Sequence, residues 1–244
     1  MIFYPLSTRT IMNSLVKEIN QRFEKFTVEE LLEFCLTKFN NKIFFSSSLG
    51  AEDQVLTHIL SGIDKRIRIV TLDTGRLFSE TLNLIQFTNE KYHINIEVLF
   101  PDYQQVEQMV KEKGINLFYD SIENRLRCCD VRKNEPLKRV LPGMEAWITG
   151  IRKKQSASRK DTKLAEWDEK NNLIKINPLA NWSEKEVWNF INQNKVPYNI
   201  LHDKGYPSIG CAPCTRAIEN GEDVRHGRWW WENEDTKECG IHKK

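Results

Sequence analysis

The sequence of 244 residues predicts an α/β protein with a doubly wound, mainly parallel sheet, and three observations carry this prediction. Short apolar runs such as IFFSS (43–47) alternate with amphipathic segments of helical length, which is the pattern of successive β-α units. Apolar residues make up 40% of the chain and charged residues 29%, a balance typical of a globular domain. No apolar run approaches the roughly 18 residues of a membrane-spanning helix, so we expect no association with a membrane.

Two helices are expected before the sheet. Apolar residues at helical spacing predict the first helix over 11–24. Thr27 and Glu30 form a capping-box pattern in front of the second helix, which contains Cys35. Because Cys35 stands among leucines and phenylalanines, we interpret it as a small residue of the core.

The strands and helices of the sheet are expected to follow in alternation. The predicted strands are 43–47, 66–72, 94–100, 146–150 and 173–179. The predicted helices are 52–60, one that ends near 90, 102–113, and a capped helix over 183–194. Ligands of doubly wound sheets bind at the carboxyl ends of the strands. The loops after the first, second and fourth strands are therefore the expected site.

Those three loops carry residue types suited to an anionic nucleotide. SSSLGAED (46–53) joins a strand to a helix, where backbone N–H groups and the helix dipole favour an anion. LDTGRL (72–77) offers Asp73 and Thr74 to a sugar or base, and GIRKKQSASRK (150–160) brings basic residues to the same edge. An ordinary capped turn and a solvated basic loop are the alternatives for single loops. Three such loops on one edge favour a nucleotide pocket.

The paired cysteines favour a metal site over disulfides. The N-terminal residues lack the features of a signal peptide, so we expect a cytoplasmic protein, in which thiols stay reduced. Cys128–Cys129 and Cys211–Cys214 supply four thiolates, which suit an iron–sulfur cluster or zinc. Successive side chains point apart on a helix, so the alternative that the two pairs are unrelated stays open.

The C-terminal segment combines a separate cysteine with two arginines. Cys239 lies in the polar tail KECGIHKK, where basic neighbours would lower its pKa. An inert exposed thiol is the alternative. Arg225 and Arg228 are three residues apart and can bind phosphate or sulfate. We interpret the adjacent tryptophans 229–231 as packing residues.

Together these motifs resemble the assimilatory adenylyl-sulfate/phosphoadenylyl-sulfate reductase family, from about Phe44 to His242. The resemblance rests on SSSLGAED, LDTGRL, CCDVRKNEPL, GIRKKQSASR, GCAPCTR, RHGRWWWE and ECGIH. It is closest to the branch that carries a [4Fe–4S] cluster. The other branch lacks both cysteine pairs and usually acts on the 3′-phosphorylated nucleotide. Leu49 departs from the residues that the family often has in the first loop.

The resemblance implies a fold of the PP-loop type (adenine nucleotide alpha hydrolase-like) and the reduction of adenylyl sulfate to sulfite and AMP, in sulfate assimilation and cysteine biosynthesis. Reduction of 3′-phosphoadenylyl sulfate, or of both nucleotides, is the alternative. The implied nucleophile is Cys239, which would form an S-sulfocysteine, and the implied cluster ligands are Cys128, Cys129, Cys211 and Cys214. The implied substrate-binding residues are Ser46, Ser47, Ser48, Gly50, Glu52, Leu72, Asp73, Thr74, Gly75, Lys133, Gly150, Arg152, Arg225, Arg228 and His242.

The resemblance also implies the domain organisation of the chain and the protein that reduces it. We expect a single domain over 1–244, with N-terminal helices (1–42), a nucleotide-binding core (43–180), a cluster and substrate segment (181–232) and a mobile catalytic tail (233–244). Thioredoxin or a similar dithiol protein is the implied reductant, because no second cysteine lies near Cys239 in the sequence. The oligomeric state is left open, and a homo-oligomer is compatible with the sequence.

Two other classes of protein fit the residues less well. ATP pyrophosphatases of the PP-loop type have a first loop that resembles S-G-G-x-D-S. The corresponding loop here, SSSLGAED, has one glycine and no terminal serine. A nucleic-acid-binding module could use the arginines and the tryptophan run. The net charge of +2 argues against it, because such modules carry a strong basic footprint. We therefore expect no nucleic-acid partner.

Overall fold

A computed structural model describes residues 6–219, 221–233 and 237. The helices are α1 (Leu6–Arg22), α2 (Val28–Phe39), α3 (Ala51–Ile63), α4 (Ser79–Tyr92), α5 (Tyr103–Lys113), α6 (Ile122–Cys129), α7 (Glu135–Lys138) and α8 (Glu184–Asn194). The strands are β1 (Ile43–Ser46), β2 (Arg68–Leu72), β3 (Glu97–Leu99), β4 (Ala146–Ile148), β5 (Ala165–Asp168) and β6 (Leu173–Ile176). Within these described residues, no helix has both the length and the apolar character needed to cross a bilayer.

The strands form one sheet in the order β3-β2-β1-β4-β6-β5. All neighbouring strands run parallel except β5, which pairs antiparallel with β6 at the edge. The chain moves outward from β1 through β2 to β3 and then returns to place β4 on the other side of β1. This reversal opens a crevice beyond the carboxyl ends of β1 and β4, where such sheets bind ligands. The predicted doubly wound, mainly parallel fold is confirmed.

Both faces of the sheet are covered. Phe45 packs into a large apolar cluster with side chains of α1, α2, α3, α4 and α8, whereas its neighbour Phe44 packs with Trp147 and Leu137 on the other face. Cys35 is fully buried in the large cluster, as predicted. Because strands buried on both faces read as continuous apolar runs, IFFSS was recognisable as a strand without an alternating pattern.

The two predicted capping boxes are confirmed. Thr27 N donates to Glu30 Oε2 over 2.8 Å, and Ser183 N donates to Glu186 Oε2 over 2.6 Å. The sequence does not predict β5, because AEWD (165–168) is short and mixes charged with apolar residues at the edge of the sheet. It also does not predict α6 and α7, which carry the first cysteine pair and the residues after it.

Candidate active site

A cleft of about 780 Å³ lies beyond the carboxyl ends of β1, β2 and β4. Its walls come from the loops that follow these strands, from α8 and from the segment 198–228. The predicted substrate-binding residues that line it are Ser46, Ser47, Ser48, Gly50, Glu52, Leu72, Thr74, Lys133, Gly150, Arg152, Arg225 and Arg228. The fold thus brings the predicted loops and the C-terminal arginines to one cavity.

Two predicted residues are not part of the cleft wall in the described structure. Asp73 Oδ1 instead accepts a hydrogen bond of 2.8 Å from Gly75 N and so closes the turn after β2. Gly75 takes a φ of +69°, which glycine adopts without strain. Both residues shape the loop that presents Thr74. Cys239 and His242, which were also predicted for the site, lie outside the described residues.

The loop after β1 is held in shape by its own hydrogen bonds. Asp53 Oδ2 accepts hydrogen bonds from Ser48 N over 2.6 Å and from Ser48 Oγ over 2.7 Å. Burial raises the pKa of Asp53 to about 6, and the bonds from Ser48 oppose that rise. Leu49 takes a left-handed φ of +61° and buries its side chain in the core, so it anchors the loop. Gly50 is the N-cap of α3, and the N-terminus of this helix favours an anion in the cleft.

The loop after β4 packs closely against the loop after β1. A Cβ atom at Gly150 would stand 2.2 Å from Asp53 Oδ1, so this approach requires glycine. Arg152 Nε donates to Glu52 Oε1 over 2.7 Å, and the two side chains are 5% and 17% exposed. Two residues predicted to bind substrate therefore bind each other. The positive charge of Arg152 is balanced within the protein.

A second, smaller cavity beside the cleft is lined by all four paired cysteines, Cys128, Cys129, Cys211 and Cys214. The two pairs are remote in sequence but are neighbours in the fold. Arg132 and Lys133 line the same cavity and bring positive charge to it. Burial, together with the neighbouring Cys211, raises the pKa of the Cys214 thiol to about 12 against the opposing effect of Lys133. Metal binding would be needed to hold this group as a thiolate at neutral pH.

The residues of this cavity fit an iron–sulfur cluster. Across residues 6–219, 221–233 and 237, no group of three or more His, Cys, Asp or Glu side chains is placed to hold a single metal ion. A cluster needs no such convergence, since its four thiolates bind four different irons. Trp229 lines this cavity, and its buried Nε1 has no hydrogen-bond partner among the described residues.

The geometry of α6 explains how adjacent cysteines reach one cavity. Arg125 lies on the same helix and lines the same cavity. Successive residues are about 100° apart around a helix, so Cys128 and Cys129 lie on either side of the direction of Arg125. The divergence of adjacent side chains therefore does not prevent a shared cavity. A π-helical turn, Asp130–Asn134, follows and carries Lys133, and such turns are frequent at functional sites.

The cleft and the four-cysteine cavity share a wall. Lys133 and Cys211 line both. The hydroxyl oxygen of Thr74, on the loop after β2, lies 3.2 Å from Cys211 Sγ. Arg132 Nη1 donates to Thr74 O over 2.6 Å, which joins the same loop to the turn after α6. Hydrogen bonds thus connect this loop to both cysteine-bearing segments.

The end of the cleft beside the cysteines is positively charged. Arg228 is 6% exposed, and its Nε has no hydrogen-bond partner within the described part of the chain. Its Nη1 donates to Ile209 O over 3.3 Å. Arg225 is also buried, and its Nη2 donates to Lys237 O over 3.2 Å. With Lys133, these guanidinium groups provide three cations for an anionic group in the cleft.

Some residues of the cleft wall were not predicted from the sequence. His202 lines the cleft and packs edge-on against Trp188, with ring centroids 5.2 Å apart. Burial lowers the pKa of His202, which favours a neutral imidazole. The sequence signal for it is weak: His202 lies in LHDKGYPSIG (201–210), a stretch rich in Gly and Pro before the second cysteine pair.

Solved structures with the same architecture define the class of fold. The crystal structure of phosphoadenylyl-sulfate (PAPS) reductase from Candida auris in complex with phosphate superimposes with a TM-score of 0.72, at 26% identity, over 89% of this chain and 99% of that chain. FMN adenylyltransferase from Candida glabrata, in complex with FAD and inorganic pyrophosphate, shares the fold with a TM-score of 0.56 at 19% identity, over 92% of this chain and 77% of that chain. The protein therefore shares the mainly parallel α/β fold of these two structures.

The family follows from the sequence itself. Residues 42–217 match the phosphoadenosine phosphosulfate reductase domain, so the chain belongs to that family. The adenosine 5′-phosphosulfate reductase of Allochromatium vinosum is 54% identical over 221 residues, which cover 91% of this chain and 86% of that protein. The adenosine 5′-phosphosulfate reductase of Burkholderia cepacia is 50% identical, over 83% of this chain and 81% of that protein. The resemblance of the motifs to this family is confirmed, whereas membership of the branch with a [4Fe–4S] cluster stays a prediction.

Proposed function

We propose that this protein reduces adenosine 5′-phosphosulfate (adenylyl sulfate) to sulfite and AMP in sulfate assimilation, with Cys239 as the nucleophile. The observation that carries the proposal is a nucleotide-sized cleft whose cationic end adjoins a cavity with four cysteines. Relatives at 54% and 50% identity are adenosine 5′-phosphosulfate reductases, which supports this substrate. The test is sulfite release from adenylyl sulfate by anaerobically purified protein with thioredoxin.

The cleft would bind the two ends of the substrate differently. The α3 N-terminus would hold the nucleotide phosphate, because the N–H groups of Ser47, Ser48 and Leu49 already donate within the protein. Arg228, Arg225 and Lys133 would contact the sulfate, where charge develops during the reaction. The Arg225 guanidinium is held by a backbone hydrogen bond from its Nη2 to Lys237 O before the substrate enters, so little reorganisation of this group would be needed.

The chemistry requires a thiolate and an external dithiol. The Cys239 thiolate would attack the sulfuryl sulfur, the bond from sulfur to the phosphate oxygen would break, and AMP would leave with the electron pair. One thiolate of thioredoxin or a similar carrier would then attack Cys239 Sγ and release sulfite. The second thiol of the carrier would displace Cys239 as a thiolate, so the carrier ends as a disulfide and supplies both electrons. Such a cycle suits a compartment that keeps thiols reduced, which supports the cytoplasm.

A [4Fe–4S] cluster would be held by Cys128, Cys129, Cys211 and Cys214. When bound, the cluster would supply a fixed charged group beside the sulfate end of the cleft and a link between the two cysteine-bearing segments. Lys133 lies on the wall that the two cavities share, so its charge would act on cluster and sulfate alike. Brown protein with about four irons per chain would support this cofactor, and colourless protein with zinc would contradict it.

Gly210→Ala is expected to lower kcat/KM for adenylyl sulfate about a hundredfold, a usual loss for one charged contact to the transition state. A Cβ at this position would stand 2.2 Å from Arg228 Nη2, so the guanidinium would have to leave its place in the cleft. Steady-state kinetics measure the loss. The matched control is Gly62→Ala, because a Cβ at Gly62 on α3 meets nothing within 4 Å. Equal activity of the two variants would contradict the role of Arg228.

Adenylyl sulfate is expected to be used at least about tenfold better than its 3′-phosphorylated form, because the buried cation of the basic loop, Arg152, is already neutralised by Glu52. Arg152 is paired with Glu52, and Arg159 Nη1 donates to Gln155 Oε1 over 2.6 Å. Lys153 is exposed and donates to Asn181 Oδ1 over 2.6 Å. The measurement is kcat/KM for both nucleotides.

The variant Glu52→Gln tests whether the pairing of Arg152 with Glu52 causes the preference for adenylyl sulfate over its 3′-phosphorylated form. This substitution removes the carboxylate that balances Arg152, so we expect the preference for adenylyl sulfate to narrow. Lys42 and Glu145 form an exposed ion pair away from the cleft, and Glu145→Gln is the control. A wild-type preference for the 3′-phosphorylated nucleotide would place the protein with the other substrate branch.

A further inference from the structure

A buried ion pair lies beside the four-cysteine cavity. Arg125 Nε donates to Glu232 Oε1 over 2.8 Å, and Arg125 Nη2 donates to Glu232 Oε2 over 2.7 Å. The two side chains are only 1% and 2% exposed. Desolvation offsets much of the attraction in such a pair, so burial of this kind is weak evidence for stability. A bidentate geometry nevertheless fixes the relative position of the two segments that carry it.

The pair joins parts of the site that are remote in sequence. Arg125 lies on α6, one helical turn before Cys129, and Glu232 directly follows the tryptophans 229–231. Trp229 N donates to Cys214 O over 3.1 Å, so the tryptophan segment is also attached to the second cysteine pair. The ion pair therefore ties the two cysteine-bearing segments together through protein atoms alone.

Two guanidinium groups stack on the Trp229 ring. Arg125 Cζ lies 4.8 Å from the ring centroid, and Arg228 Cζ lies 4.6 Å from it. Trp229 is 1% exposed and takes a left-handed φ of +42°. This conformation costs free energy in a bulky residue and persists where the surroundings impose it. The ion pair and its stacked guanidinium are in place to impose it.

We propose that Arg125, Trp229 and Glu232 form a clamp that positions Arg228 for the sulfate end of the substrate. Arg228 has an unpartnered Nε within the described part of the chain, and its hydrogen bonds to Ser208 and Ile209 are long, at 3.4 and 3.3 Å. The direction of its guanidinium therefore depends on the indole beneath it. Arg125 is a positioning residue, because it lines the four-cysteine cavity but not the cleft. The inference rests on the proposed function.

The test is equilibrium binding of adenylyl sulfate and of AMP to variants made in a Cys239→Ser background, which prevents turnover. Arg125→Lys keeps the charge but loses the bidentate pair and the planar stack. Glu232→Asp keeps the charge and shortens the reach. Both substitutions should lower the affinity for adenylyl sulfate at least about tenfold and the affinity for AMP less than about twofold. The reason is that AMP has no sulfate for Arg228 to contact. Iron content should match the parent protein.

The matched control is Arg127→Lys on the same helix. Arg127 pairs with Glu112 over 2.7 Å, but both side chains are 40% exposed, so this substitution should change neither affinity. A double variant gives a second readout. If the clamp acts through Arg228, then Arg125→Lys should cost little further affinity once Arg228→Lys is present.

Several results would overturn the clamp. These are unchanged binding of adenylyl sulfate, equal losses for both nucleotides, loss of iron, or full additivity with Arg228→Lys. Failure of the proposed function would look different, because the wild-type protein itself would then release no sulfite from adenylyl sulfate. The two ideas are therefore tested by separate measurements.

Discussion

Cys239→Ser should lower sulfite formation by more than about a thousandfold, because a neutral hydroxyl is a far poorer nucleophile than a thiolate. Cys239 is neither one of the four paired cysteines nor one of the described residues that line the cleft. We therefore expect the protein to stay brown and to bind AMP as tightly as the wild type does. Sulfite release, iron content and AMP affinity measure the three parts of this prediction.

The intermediate can be observed directly. Wild-type protein mixed with adenylyl sulfate and no reductant should gain one SO₃ unit on the peptide that contains Cys239, and thioredoxin should remove it. Cys35→Ser supplies the comparison, because Cys35 is a fully buried cysteine of the core and should leave the adduct unchanged. Normal turnover by Cys239→Ser, or an adduct on another cysteine, would rule out this nucleophile.

Serine in place of any of Cys128, Cys129, Cys211 or Cys214 should remove most of the iron and nearly all activity. A serine hydroxyl stays protonated at neutral pH and is a hard ligand, whereas iron–sulfur clusters need thiolates. The four cysteines line one cavity, so the loss of each is expected to have a similar effect. Iron analysis and the visible absorption of anaerobically purified variants measure this.

A variant of a buried cysteine outside the four-cysteine cavity is the control that distinguishes a metal ligand from a packing residue. Cys35→Ala also removes a buried thiol, but Cys35 lies on α2 in the large core cluster, away from the four-cysteine cavity. It should reduce stability by about 1 kcal/mol and leave the iron content unchanged. A paired-cysteine variant that keeps a full complement of iron and normal turnover would identify a residue that is not a ligand.

Local patterns were the reliable part of the sequence prediction. The capping boxes at Thr27 and Ser183 were confirmed because a cap involves residues only three positions apart. The loop SSSLGAED was placed correctly because a buried strand and a helix start are both visible within a few residues. The sequence did not predict β5. This edge strand is stabilised by pairing with β6, and the four residues of β5 alone do not indicate that pairing.

The sequence predicted which residues line the candidate site better than it predicted which partners their side chains bind. Twelve predicted substrate residues line the cleft, whereas Asp73 accepts a hydrogen bond from Gly75 N within its own loop. Arg152 was predicted as a substrate ligand, and the structure pairs it with Glu52. Side chains with the same polarity can bind a ligand, a neighbour or the backbone, and the sequence does not distinguish among these partners.

The sequence by itself determined the fold class, the family motifs and which residue types are available for nucleotide and metal chemistry. These depend on local propensity, on hydrophobic periodicity and on short spacings, all of which act over a few residues. The tertiary structure alone decided that two cysteine pairs share one cavity, that Gly210 makes room for Arg228, and that Arg125 holds Glu232. Hydrogen bonds and ion pairs act over about 3 Å, so residues far apart in the chain become partners only when packing brings them together.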